Sequence, residues 1–144
     1  MKIYLGTDHA GFEYKEKVKE HLLASGHEVE DLGAHTLDLA DDYPDYITPV
    51  AKKVAEDSDA FGIIFGGSGQ GEAMCANRIP GVRAALYYGG TKDFVALVRE
   101  HNNANVLSVG ARFLDLTDVL EAVDIFLQTP FSNEPRHVRR LSKF

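Results

Sequence analysis

The sequence is short of several things, and each shortage excludes a class of protein. It has one cysteine, Cys75, so no intrachain disulfide can staple it, and a reducing cytoplasm is the expected home. No run of 18 apolar residues occurs, so no membrane helix is expected. The opening stretch, Met1-Lys2-Ile3-Tyr4-Leu5-Gly6-Thr7-Asp8, reaches an acid too early for a signal peptide. There is no repeat at solenoid spacing and no low-complexity stretch. HExxH and paired cysteines are missing, and His9 and His101 lack a third ligand at a recognisable spacing, so no metal site is expected. Bases are scarce as well: 15 against 22 acids, a net charge of −7, which leaves no footprint for a nucleic acid. The few bases are concentrated. Arg136, His137, Arg139, Arg140 and Lys143 follow one another without an intervening acid, a distribution that suits a small local anion.

What is present is an ordinary globular composition, 44% hydrophobic and 26% charged over 144 residues. That length predicts one domain, residues 1–144, burying roughly two thirds of its unfolded surface. Short apolar runs alternate with amphipathic ones. Strands are predicted at Lys2–Thr7, His27–Leu32, Ala60–Phe65, Val82–Tyr87 and Asn105–Val109. Helices are predicted at Phe12–Ala24, Tyr46–Glu56, Glu72–Arg78, Lys92–Glu100 and Leu116–Leu127, with a short basic helix at about 134–141 closing the chain. Strand–helix alternation repeated five times predicts a doubly wound, Rossmann-like α/β fold: a five-stranded parallel sheet with helices on both faces. Ligands of such sheets bind beyond the carboxyl ends of strands, where the strand order switches.

The residues at or near the strand ends are rich in chemistry. Asp8-His9-Ala10-Gly11 follows the first strand, Gly66-Gly67-Ser68-Gly69-Gln70-Gly71-Glu72 the third, and Gly110-Ala111-Arg112 the fifth, while Glu100-His101-Asn102-Asn103 precedes the fifth. Four glycines in six residues let bare backbone approach a ligand, and successive N–H groups there make an anion or oxyanion nest. A tight strand-to-helix turn is the competing reading. Named phosphate and nucleophile motifs fail. Glu72-Ala73 stands where a P-loop needs lysine and a hydroxyl, the dinucleotide spacing is missed, and Ser68 lacks the second glycine of a nucleophile elbow. A nest beside a carboxylate remains, which suits proton abstraction next to a carbonyl. Glu72 also reads as an acid favouring a first helical turn. Taken alone, His101 reads first as a satisfied helix-end histidine, and Cys75 as a small packed residue on the helix. Arg136 and Arg140, at i and i+4, read as a solvated tail or as a phosphate clamp.

At Asp8–Gly11, Gly66–Glu72, His101-Asn102-Asn103 and Arg136–Arg140, the sequence resembles the type B ribose-5-phosphate isomerases, in register along essentially the whole chain. The wider family includes galactose-6-phosphate isomerase. The resemblance implies metal-free and cofactor-free interconversion of ribose 5-phosphate and ribulose 5-phosphate through a cis-enediolate. In one branch a cysteine just before the glycine loop is the base. Gly66 stands there, so the chain resembles the branch that uses the glutamate closing the loop, Glu72. By the same resemblance Ser68 and the N–H groups of Gly67, Gly69, Gln70 and Gly71 hold the oxyanion. His101, with Asp8, assists ring opening, and Asn102 binds the sugar. Arg112, Arg136 and Arg140 bind phosphate with His9 and His137 nearby, and Tyr43 lines the pocket. A homodimer, or a dimer of dimers, with the site between subunits is implied. Two alternatives stand beside this: a six-carbon phosphosugar such as allose or galactose 6-phosphate, and a non-catalytic phosphosugar-binding subunit.

Overall fold

The computed structural model describes residues 1–144, and its centre is a five-stranded parallel sheet. The strands are β1 (Lys2–Thr7), β2 (Glu28–Asp31), β3 (Phe61–Gly66), β4 (Ala84–Tyr87) and β5 (Val106–Gly110), in the spatial order β2-β1-β3-β5-β4. The helices are α1 (Phe12–Ala24), α2 (Pro44–Glu56), α3 (Gln70–Ala76), α4 (Asp93–Asn102), α5 (Leu116–Gln128) and α6 (Pro135–Leu141). No helix is long and apolar enough to cross a membrane. β3 lies between β1 and β5, which explains its unbroken apolar run: both faces are covered.

The two faces carry separate cores. Val18 and Leu22 of α1, Val95 of α4 and Val119, Val123 and Phe126 of α5 pack over Ile3, Leu5, Ile63 and Phe65 on one side. Ile47, Val50 and Val54 of α2 and Ala76 of α3 pack over Tyr4, Ile64 and Val106 on the other. Alternate strand residues thus serve opposite faces. The strand order reverses between β1 and β3. The chain leaves β1 toward β2 on one side and continues to β3 on the other, so the loops after β1 and β3 open onto a crevice.

Several predicted boundaries shift, three of them for clear local reasons. α2 starts at Pro44 rather than Tyr46, because proline at the first helical position needs no N–H and already has helical φ. β4 starts at Ala84 rather than Val82. Val82 is held in a turn by its bond to Ile79, and the Asn77 side chain pairs with both the N–H and the carbonyl of Ala84. α4 runs two residues further than predicted, so His101 and Asn102 sit in its last turn. Asn103 closes it in the left-handed region at φ 46°. That end is stapled by the buried Arg99. Its guanidinium lies 4.9 Å from the Phe61 ring centroid and donates to Asn103 Oδ1 (2.9 Å) and the Thr129 carbonyl (3.2 Å).

Candidate active site

The crevice at the β1/β3 switch holds the first group of residues. β3 ends at Gly66, and the chain turns through Gly69 at φ +73°, a conformation that glycine adopts without strain. The buried Ser108 hydroxyl donates to the Gly69 carbonyl at 2.6 Å and fixes the turn. The backbone N–H groups of Gly67, Ser68, Gly69 and Gly71 donate to no carbonyl of the chain, and only Gln70 N–H is taken up, weakly, by Ser68 Oγ at 3.3 Å. A row of unspent donors therefore follows β3.

Glu72 stands beside that row, and its side chain is almost wholly buried. Its carboxylate folds back over Gly66 so closely that a Cβ at residue 66 would fall 2.0 Å from Oε1. Glycine at 66 and glutamate at 72 are thus one arrangement: the carboxylate fills the volume a side chain at 66 would take. Burial pushes the Glu72 carboxyl above its ordinary range. Its own N–H pulls the other way, and the neighbouring Asp8 adds to the rise.

Asp8, after β1, is buried and accepts the Ala10 N–H at 2.9 Å. His9 Nδ1 lies 2.7 Å from Asp41 Oδ1 and 4.0 Å from Asp8 Oδ2. Arg112 lies along the backbone of Gly67, where a Cβ would come within 3.2 Å of its guanidinium, and its N–H donates to the Gly67 carbonyl at 3.0 Å. Tyr43, at the start of α2, stacks over Gly71, where a Cβ would meet its ring at 2.8 Å. Carboxylate, donors, guanidinium and phenol of one chain therefore line one crevice.

The remaining predicted residues form a second group elsewhere. His101 stacks on His137 with ring centroids 4.4 Å apart. His137 is buried, its Nδ1 is bonded to Ser132 Oγ at 2.9 Å, and Ser132 N–H donates to the Glu100 carbonyl at 3.1 Å, which docks α6 onto the end of α4. Burial, with the nearby His101 and Arg136, holds the His137 imidazole below its usual range. Asn102, Arg136 and Arg140 are exposed around this pair, with Arg136 bonded to Glu134 at 2.8 Å.

The two groups are at opposite ends of the sheet. Glu72 follows the end of β3, whereas His101 precedes the start of β5, and Gly66 pairs with Gly110 four residues beyond Val106. Four strand residues span about 13 Å. The helices also differ in face, α3 on one side and α4 on the other. Within one chain His101, Asn102, Arg136, His137 and Arg140 therefore lie apart from Glu72. A parallel strand forces this, because a residue after one strand and a residue before its neighbour sit at opposite ends.

Comparison with known proteins identifies the lineage. The ribose/galactose isomerase family matches residues 3–144. The chain belongs to that family. It is 45% identical over 141 residues to a ribose-5-phosphate isomerase B of Mycolicibacterium paratuberculosis, covering 98% of this chain and 87% of that one. A crystal structure of ribose-5-phosphate isomerase B from Mycoplasma genitalium with bound ribulose-5-phosphate superposes with a TM-score of 0.94 at 40% identity, over 99% of this chain and 92% of the other. The enzyme of Thermotoga maritima superposes at 0.91 with 44% identity, over 99% of this chain and 95% of the other.

Sequence reasoning missed one member of this ribose/galactose isomerase crevice. Asp41 lies in the irregular stretch 32–43 between β2 and α2, where no periodicity marks it, and only the fold brings it to His9. Asp8, His9 and Asp41 place one donor atom each within 4.8 Å of one another. The donor set would suit a hard divalent cation, but the Nδ1 of His9 is already engaged by Asp41 and the Arg112 charge acts on the same ring.

Proposed function

We propose that this protein is an aldose–ketose isomerase that interconverts ribose 5-phosphate and ribulose 5-phosphate by proton transfer through a cis-enediolate, with no metal or other cofactor. The observation that carries the reading is the Glu72 carboxylate, buried over Gly66 and flanked by N–H groups with no partner in the chain. A base with a raised pKa beside a ready oxyanion cradle is what abstraction of a proton next to a carbonyl needs. The names of the relatives support the substrate.

In the forward direction Glu72 takes the proton from C2 of the open-chain aldose, and the electron pair moves to the carbonyl. The resulting oxyanion is held by Ser68 and the N–H groups of Gly67–Gly71. Return of the proton to C1, with transfer of a hydroxyl proton between O2 and O1, completes the ketose. Asp8 lies close enough to Glu72 to raise its pKa and reaches the same sugar. Ring opening falls to His101 with Asp8, and the phosphate to Arg112 and His9 with Arg136, Arg140, His137 and Asn102. Because these groups lie at opposite ends of one sheet, a five-carbon phosphate cannot span them in a single chain. The working unit is therefore a homodimer in which the α4/α6 end of one copy closes the crevice of the other. A single free cysteine suits a cytoplasmic enzyme, and the 144 residues act as one domain.

A substrate panel with EDTA present tests this. In D2O the purified protein is expected to turn over ribose 5-phosphate with the highest kcat/KM and to carry solvent deuterium into the sugar. A higher value for allose or galactose 6-phosphate replaces the pentose with a hexose. No turnover of any phosphosugar reduces the protein to a binding subunit. The tail is tested separately: Arg136→Ala or Arg140→Ala is expected to raise KM about tenfold, since a charge-assisted bond to phosphate is lost. An unchanged KM in both returns the tail to solvated surface.

A further inference from the structure

Asp41 has no part in the proton transfer described above, yet it is built into the crevice. Its side chain is 5% exposed. A single oxygen, Oδ1, accepts the backbone N–H of His9 at 3.1 Å and also lies 2.7 Å from the ring Nδ1 of the same residue. The other oxygen, Oδ2, is buried and has no partner in the chain. A buried carboxylate with one unpartnered oxygen is costly unless a cation stands against it. The ring of His9 is the group placed to be that cation. An ionised carboxylate has no hydrogen to give, so the 2.7 Å contact requires Nδ1 to carry one. Bond and backbone clamp together fix both the ring's orientation and its tautomer, and Nε2 is left without any bond in the chain.

We infer that Asp41 is a positioning residue for substrate binding, one that orients His9 and holds it as an imidazolium whose free Nε2–H is presented to an anionic oxygen of the sugar phosphate. The inference rests on the isomerase reading and extends it to a residue outside the reacting groups. The charged groups around the ring agree. The hydrogen bond to Asp41 is the largest influence and raises the His9 pKa above its ordinary 6.5; burial opposes it, Asp8 adds to it and Arg112 opposes it. Tyr46, near Asp41, Asp38, Asp45 and Asp8, is pushed up, chiefly by burial, and stays neutral, while Glu72 neighbours Asp8 from the glycine-loop side. A phosphate monoester loses its second proton near pH 6, so cationic His9 and the dianion coexist around neutrality.

Asp41→Asn removes the charge and keeps an acceptor oxygen, which separates electrostatics from shape. The sign follows from the two protonation states. Below both pKa values His9 is charged in either protein, so affinities match. Between the variant's lowered pKa and the wild type's raised one, only the wild type keeps the charge. The expected result is a lower His9 pKa in the variant than in the wild type, read by imidazole NMR with His9→Asn for assignment. KM for ribose 5-phosphate, and the dissociation constant of inorganic phosphate, should rise about tenfold near pH 7.5 and within about twofold at pH 5.5, with kcat moving less. Asp41→Glu, which keeps the charge, should recover part of the affinity. A pH-independent loss of kcat together with a lowered melting temperature in Asp41→Asn would mean that Asp41 only supports the loop, and the inference fails. It fails too if His9 titrates alike in both proteins. Wild-type activity that EDTA abolishes and a divalent cation restores would assign Asp41, His9 and Asp8 to a metal instead. If the wild type turns over no phosphosugar, the isomerase reading is lost, while the His9 titration and phosphate affinity still judge Asp41.

Discussion

Glu72→Gln is expected to lower kcat for ribose 5-phosphate isomerisation by about three orders of magnitude and to stop solvent deuterium from entering the sugar, while phosphate still binds. Glutamine keeps the shape of the side chain over Gly66 but cannot accept a proton, and a positioned general base contributes about 10²–10⁴-fold. The pH profile of the wild type carries the same information. In the proposed mechanism Glu72 acts as the carboxylate, so activity is expected to fall as pH drops through its pKa. Burial raises that pKa above 4.5, and the acid limb of kcat/KM should lie above the ordinary glutamate range. Folding stability responds with the opposite sign. A carboxyl whose folded pKa is raised is most compatible with the fold below its unfolded pKa and loses stability as pH rises and it ionises. At neutral pH the ionised Glu72 is therefore a liability that glutamine relieves, and the variant should melt no lower than the wild type. An active Glu72→Gln protein would remove the base from the mechanism. A variant that is both inactive and unfolded would instead make Glu72 a structural residue.

Mixing two dead variants should restore activity. On the proposed shared site, the Glu72→Gln and His101→Asn proteins would each lack one half of every site. The two halves lie at opposite ends and on opposite faces of one sheet, so in the proposed homodimer a working site would draw Glu72 from one copy and His101 from the other. A two-fold dimer holds two such sites. In a mixed dimer one site carries both substitutions and the other carries neither. Random reassortment makes half of the dimers mixed, so about a quarter of wild-type activity should return after the two proteins are unfolded and refolded together. If the site were complete within one chain, every mixture would stay dead. Titrating one variant against a fixed amount of the other should give activity that follows the mixed-dimer fraction.

Much of the fold was legible because its signals are local. An unbroken apolar run at Ala60–Phe65 marks a strand covered on both faces, and the 3.6-residue spacing of Phe12, Val18 and Leu22 marks a helix on one. The glycine loop and Glu72 were legible for the same reason: a turn needing bare backbone is written in consecutive residues. By itself the sequence therefore determined the number and kind of elements, the parallel sheet and the glycine turn at the end of β3. Tertiary structure alone decided the rest. The order β2-β1-β3-β5-β4 and the direction of α4 set His101 at the far end of the sheet from Glu72, because long-range pairing leaves no mark in any one segment. Asp41 reached His9 by the path of an aperiodic loop. The opposing pulls on Glu72, its N–H against burial, were resolved toward a raised pKa only once the surrounding helices and strands had excluded water from its carboxylate.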